Sequence, residues 1–273
     1  MRIAQLDCRP VLLTEDGVID VPVDLAADLF ARWDDLREWS AHATGARPYD
    51  PCDLQAPVPA PRQIFAVALN YRPHTAEAGY EEPTAPLVFT KFPTCLTGPY
   101  ATVELPPGHV DWELELVAVI GHEARNIPVQ KGWEPVVALT VGQDLSERLA
   151  QLAGRPAQFS LAKSHPGFGP LGPALVSLDE VDDPDDLELT CELNGEVVQH
   201  DRTGDMIFPI PRLVSYLSEF CTLLPGDLIF TGTPAGVGNR RSPQRFLTPD
   251  DELVSRIGGV GEMRHTFRRR ATR

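Results

Sequence analysis

The hydrophobic positions of this chain come in short runs separated by turn-forming residues, and the clearest run covers residues 110–121. There an acid alternates with an apolar residue, the pattern then becomes wholly apolar, and it stops at Gly121. Period-two alternation predicts a half-buried strand with Asp111, Glu113 and Glu115 on one face and Trp112, Leu114 and Leu116 on the other. Residues two apart on a strand lie roughly 6.5 Å apart, so three carboxylates crowd one surface and repel. Two readings fit that face: a divalent-cation site, or an outer face whose acids point into water.

Similar patterning predicts strands at 64–69, 87–90, 136–141 and 228–230, with a hairpin at 187–198 turning on Asn194-Gly195. Helical spacing appears at 213–220 and in the short stretch 72–79, where Pro73 suits a helix start and Gly79 its exit. The first 56 or so residues read as a small unit of weak strands followed by a helix. Asp24 is the expected N-cap of that helix, which carries Leu25, Leu29, Trp33 and Leu36. Pro51, Pro57, Pro59 and Pro61 then interrupt regular structure, so the boundary is expected near residue 58, dividing the chain into 1–58 and 59–273. Many short strands and few long helices predict an α+β, β-rich fold rather than a doubly wound sheet. The basic tail, 268–273, reads as a solvated terminus.

Composition narrows the class. With 273 residues the chain can bury a substantial core, and a net charge of −15 disfavours nucleic acid and anionic membrane as partners. The five cysteines, odd in number and in no CxxC pair, suggest free thiols in a reducing compartment. No apolar run matches a signal peptide or a membrane span, so a cytoplasmic location is expected.

Candidate chemistry lies at the ends of the predicted strands. His74 and Glu77 are three apart on one helical face, where a carboxylate can orient an imidazole as a general base; a surface ion pair fits the same spacing. Asp144 could supply a further oxygen ligand or cap a helix. Lys163 could face an anionic substrate or water. The loop 231–238 is rich in glycine but lacks the Lys-Ser/Thr ending of a phosphate loop; its backbone N–H groups could bind a carboxylate, or it could simply connect two elements.

In order and spacing these segments resemble the fumarylacetoacetate hydrolase superfamily over roughly residues 60–265. The resemblance is carried by Leu69-Asn70-Tyr71 with His74 and Glu77, by Asp111-Trp112-Glu113-Leu114-Glu115 and by Asp144-Leu145-Ser146. It is carried further by Phe89-Thr90-Lys91 with Gly98-Pro99, Leu116 with Val119-Ile120-Gly121, Lys163-Ser164, Gly169-Pro170 with Gly172-Pro173 and Asn194-Gly195-Glu196. Pro225-Gly226-Asp227 and Thr231-Gly232-Thr233-Pro234-Ala235-Gly236-Val237-Gly238 complete it. It implies a mixed β-sandwich roll preceded by a small N-terminal domain, and a homodimer. It implies Glu113, Glu115 and Asp144 as ligands of Mg²⁺, with Mn²⁺ or Ca²⁺ as alternatives. His74, Glu77 and Lys163 are implied as catalytic residues, and Tyr71, Arg148, Gln151 and Thr233 as substrate-binding ones. The implied reaction is hydrolysis of a carbon–carbon bond in a β-diketo acid such as an acylpyruvate. Decarboxylation of a 2-oxo acid such as oxaloacetate, or its isomerisation or hydration, is the alternative on the same metal site. Gln143, Glu147 and His165-Pro166 depart from the usual pattern and are expected near the site, where they would bear on substrate preference.

Overall fold

The computed structural model describes residues 1–270; of the basic tail, residues 271–273 lie outside that range, while Arg268 is exposed and paired with Glu104 at 2.7 Å. Two large sheets dominate. The first runs, in spatial order, through Gly17–Asp20, Arg9–Thr14, Arg2–Leu6, Gly169–Ser177, Val136–Gln143, Leu114–Ile120, Leu228–Phe230, Ile64–Ala68 and Leu87–Thr90. The second holds five strands, Glu196–Arg202, Glu188–Leu193, Glu252–Ile257, Gly261–Arg269 and Thr102–Leu105. Pairing is mostly antiparallel; Leu228–Phe230 beside Ile64–Ala68 is a parallel exception.

Period-two patterning explains the stacking. Leu114, Leu116, Ala118 and Ile120 share an apolar core with Leu189, Leu253, Ile257 and Met263 of the second sheet and with Leu213 and Leu217 of the helix Ile210–Phe220. Val117 and Val119 point the other way, into a second core with Ile3, Leu12, Leu25, Trp33 and Leu36. The first sheet is therefore covered on both faces, which is why 116–120 carries no polar position. These layers are the expected β-rich sandwich.

The N-terminal strand Arg2–Leu6 pairs directly with Gly169–Ser177. Residues 1–58 and the remainder thus share a sheet and an apolar layer. The helix expected to begin at Asp24 divides into Val23–Ala26 and Trp33–Ser40, with turns between. Asp24 lies within the first of these and caps nothing; Pro22 occupies the cap position. The hairpin turn at Asn194-Gly195 is present, both residues having positive φ as a two-residue primed turn requires.

Candidate active site

The acidic strand breaks at the point where its chemistry begins. Val110–Asp111 and Leu114–Ile120 are separate strands, and in the gap side chains replace the neighbouring strand as hydrogen-bond acceptors. The Glu113 N–H donates to Gln143 Oε1 at 2.9 Å and the Leu114 N–H to Gln199 Oε1 at 3.0 Å. Alternation nevertheless survives: Trp112 and Leu114 enter the core while Asp111, Glu113 and Glu115 are buried on the other side. The outer-face reading is excluded, because none of these acids is more than 7% exposed.

Glu113, Glu115 and Asp144 bring one carboxylate oxygen each within 4.8 Å of one another. Asp144 reaches them from the end of the adjacent strand, with its N–H bonded to the Glu113 carbonyl at 2.9 Å. Three buried cations hold the group. Lys163 Nζ donates to Glu113 and Asp144, both at 2.6 Å. Arg148 donates to Asp111 and Glu113, also at 2.6 Å, and to Gln151 Oε1 at 2.8 Å. Lys91 Nζ donates to Asp144 at 2.6 Å and to the carbonyls of Lys163 and Phe168. Sequence reasoning gave Lys91 no role; its signal was a lysine directly after an apolar strand, indistinguishable there from a solvated one.

The two glutamates titrate in opposite directions. Burial alone would raise the Glu113 carboxyl, but Lys163, Arg148 and His74 outweigh it and hold the value down at about 2. Glu115 is pushed well above the usual carboxylate range by burial, then by Asp144 and Glu113. It accepts the Gly232 N–H at 2.7 Å, and among the described residues no lysine or arginine pairs with it directly. Four buried carboxylates thus face three buried cations, and an all-oxygen donor set fits a hard divalent cation such as Mg²⁺, Mn²⁺ or Ca²⁺.

The glycine-rich loop binds carboxylates by its backbone, but they are the protein's own. Besides Gly232 on Glu115, the Gly236 N–H donates to Glu77 at 3.0 and 3.2 Å, and the Asn239 N–H to Asp111 at 2.7 Å. Gly232 has φ +96°, and a Cβ there would meet Asn70 Cβ at 2.7 Å, so glycine is required for this approach. On the short helix Arg72–Ala78, His74 Nδ1 lies 3.1 Å from Glu77. Both the i,i+3 contact and the left-handed exit at Gly79 match the sequence expectation.

These parts surround one cavity of about 720 Å³. His74, Glu113, Arg148, Gln151, Lys163 and Thr233 line it, with walls from Leu87, Phe89, Leu152, Phe159 and Tyr216. Thr233 is fixed by donating to the Leu114 carbonyl at 2.9 Å and accepting from Gln199 at 2.8 Å. Gln199, absent from the sequence-level set, holds both the strand break and this threonine. Arg240, also absent from that set, lines the same cavity.

Tyr71 departs from expectation. It is fully buried in the core, does not line the cavity, and its hydroxyl has no hydrogen-bond partner among the described residues. The three departures from the family pattern also stand away from the cavity wall. Gln143 holds the Glu113 backbone and Ser255, Glu147 accepts from the first N–H groups of the helix Arg148–Leu152, and His165 packs on Phe168. Two of them hold backbone and the third packs on a core ring, so the expected link to substrate preference has no contact to carry it.

Comparison with known proteins agrees with this geometry. Residues 63–268 match the model of the fumarylacetoacetate (FAA) hydrolase C-terminal family. A human protein named as the mitochondrial oxaloacetate tautomerase FAHD2A is 42% identical over 208 residues, covering 76% of this chain and 66% of its own length. The chain therefore spans just under two thirds of that relative. Among solved structures, a putative HpcE protein from Mycobacterium smegmatis superposes with a TM-score of 0.91 at 50% identity, covering 99% of this chain and 100% of the other. A maleylpyruvate hydrolase from Sphingobium, solved with manganese(II) and pyruvate, gives a TM-score of 0.83 at 27% identity over 99% of this chain and 100% of its own.

Proposed function

The chain belongs to the fumarylacetoacetate hydrolase family, and on that footing we propose that it is a Mg²⁺-dependent hydrolase of a carbon–carbon bond in an acylpyruvate-like β-diketo acid. The observation that carries the reading is that the His74–Glu77 pair and the carboxylate group at Glu113 serve one cavity. Relatives named for oxaloacetate tautomerisation and maleylpyruvate hydrolysis support a 2-oxo acid as substrate, and the manganese of the latter supports a divalent metal.

Glu113, Glu115 and Asp144 would hold the cation, which when bound supplies positive charge beside the 2-oxo acid group. The chain's own residues do the rest. Glu77 accepts the His74 Nδ1–H, leaving Nε2 as the basic nitrogen that takes a proton from water as it adds to the distal carbonyl. The carbon–carbon bond breaks, the acyl part leaves as a carboxylic acid, and the electron pair stays with the pyruvate part until a proton returns to it. Lys163, buried and on the cavity wall, places an ammonium where that charge develops. Arg148, Gln151 and Thr233 bind and orient the acid groups.

The test is loss of the enol absorbance of acetylpyruvate on adding protein with Mg²⁺ and then with excess chelator. Metal-dependent loss with stoichiometric pyruvate is expected; loss without pyruvate removes hydrolysis. The second reading, tautomerisation or decarboxylation of oxaloacetate, is favoured by the 42% identical relative and needs no activated water. It takes over where oxaloacetate is consumed and acetylpyruvate is not.

We also infer a homodimer in a reducing compartment. The helices Arg148–Leu152 and Phe159–Ala162 and the strand Leu87–Thr90 leave Leu149, Leu161 and Leu87 exposed on neighbouring elements, and all five cysteines are free. No helix among the described residues is long and apolar enough to cross a membrane. Light scattering at micromolar concentration should give twice the chain mass of 30.0 kDa.

A further inference from the structure

The cations of the cavity are of two kinds. Lys163 and Arg148 are buried and already paired, to Glu113 and Asp144 and to Asp111 and Glu113. Arg240 is exposed, lines the same cavity, and has neither an acidic partner nor a side-chain hydrogen bond among the described residues. Its neighbours in sequence differ from it. Arg241 reaches Glu196 at 3.5 Å and the Val198 carbonyl at 3.3 Å, and Arg245 pairs with Asp251 at 2.5 Å. Within one short segment two arginines hold the loop in place and the third faces the cavity.

The position of Arg240 is fixed from below. It ends the tight turn Gly238–Arg240, and the N–H of the preceding residue, Asn239, donates to Asp111 Oδ2. The other Asp111 oxygen accepts from Arg148, whose second arm donates to Glu113. A chain of charge-assisted bonds therefore ties the turn carrying Arg240 to the carboxylate group on the cavity floor. The same cavity is lined by the apolar side chains of Leu87, Phe89, Leu152 and Phe159. In a protein of net charge −15, an unpaired guanidinium on the rim is a local reversal of the surface potential.

We propose that Arg240 is a specificity-determining residue that binds a second carboxylate, at the end of the substrate remote from its 2-oxo acid group. A guanidinium fork matches a carboxylate in geometry as well as charge, and the apolar wall suits the carbon chain between the two anionic ends. This rests on the 2-oxo acid reading above and narrows it to dicarboxylates.

The experiment compares 2-oxohexanoate with 2-oxoheptanedioate, which differ by a terminal carboxylate and lack the bond to be cleaved. Calorimetric titration of the full chain with Mg²⁺ present gives the ratio of their Kd values. Wild type should prefer the diacid by roughly three- to tenfold, as for one partly exposed ion pair. Arg240→Gln should reduce that ratio towards one, and Arg240→Lys should retain part of it. No preference in wild type, an unchanged ratio in Arg240→Gln, or no binding of either acid overturns the assignment. Acetylpyruvate hydrolysis by wild type, run alongside, reports on the reaction alone. Its failure with the diacid preference intact removes the hydrolase and leaves the subsite.

Discussion

The carboxylate of Glu77 stands 3.1 Å from His74 Nδ1 and accepts the Gly236 N–H at 3.0 and 3.2 Å. One side chain thus sets the tautomer of the imidazole and fixes the loop that carries Thr233 and Arg240. Glu77→Gln keeps an acceptor for Gly236 but removes the charge that supports a protonated imidazole. The kcat for acetylpyruvate should fall about a hundredfold with KM little changed. His74→Ala should suppress hydrolysis while sparing any oxaloacetate decarboxylation. Equal loss of both reactions would mean that the pair does not act on water.

Lys91 predicts a stability effect without a catalytic contact. Its three N–H groups are all accepted, by Asp144 and by the carbonyls of Lys163 and Phe168, and it does not line the cavity. Lys91→Met leaves Asp144 buried with one cation fewer, which should lower unfolding free energy by about 3–5 kcal/mol. Urea midpoints measure this, and a loss below about 1 kcal/mol would mean that water or Lys163 replaces the ammonium.

What the sequence made legible were features written in a single segment. The alternation at 111–116, the i,i+3 spacing of His74 and Glu77, and the Asn194-Gly195 turn each follow from local geometry, and each is present. What it hid were partners brought together by the sheet. Gln143 and Gln199 replace strand bonding across the break at Glu113. The family pattern placed Gln143 near the site without showing what it bonds, and nothing in its segment marks Gln199 as anything but polar surface. Lys91 and Arg240 are both basic residues beside turns; one is buried under Asp144 and the other is exposed on the cavity rim. Only tertiary placement separates them.

Tyr71 separates a pattern-based role from a packed one. Its hydroxyl is buried without a partner among the described residues, so Tyr71→Phe removes an unmet polar group at little cost in volume. Stability should be unchanged or raised by about 1 kcal/mol, with KM for acetylpyruvate unaltered. A raised KM would return this residue to the substrate-binding set.

The shared sheet predicts that residues 59–273 do not fold well alone. Deleting 1–58 removes the pairing of Arg2–Leu6 with Gly169–Ser177 and uncovers Val117, Val119, Leu171 and Leu175. The result is an exposed edge beside an apolar face, so the fragment should sediment with the insoluble fraction or bind a hydrophobic dye strongly. A soluble, cooperative fragment would mean that the first 58 residues form an independent unit after all.

His265 gives the pH dependence a sign. It is fully buried, its Nε2–H donates to the Gly98 carbonyl at 3.1 Å, and Nδ1 has no partner among the described residues. Burial pulls its pKa down to about 4, with the Gly98 bond opposing only in part. In the unfolded chain the same imidazole titrates near 6.5, so between those values the unfolded state binds the proton and the folded state does not. This contribution to stability is complete above about pH 6.5 and is lost as pH falls towards 4, by about 3 kcal/mol in all. His265→Gln keeps a donor for Gly98 and removes the titration, so its unfolding free energy should fall less than that of wild type between pH 7 and pH 4.5. Parallel slopes for the two proteins would mean that the buried imidazole takes up its proton without unfolding, through a rearrangement that gives Nδ1 an acceptor.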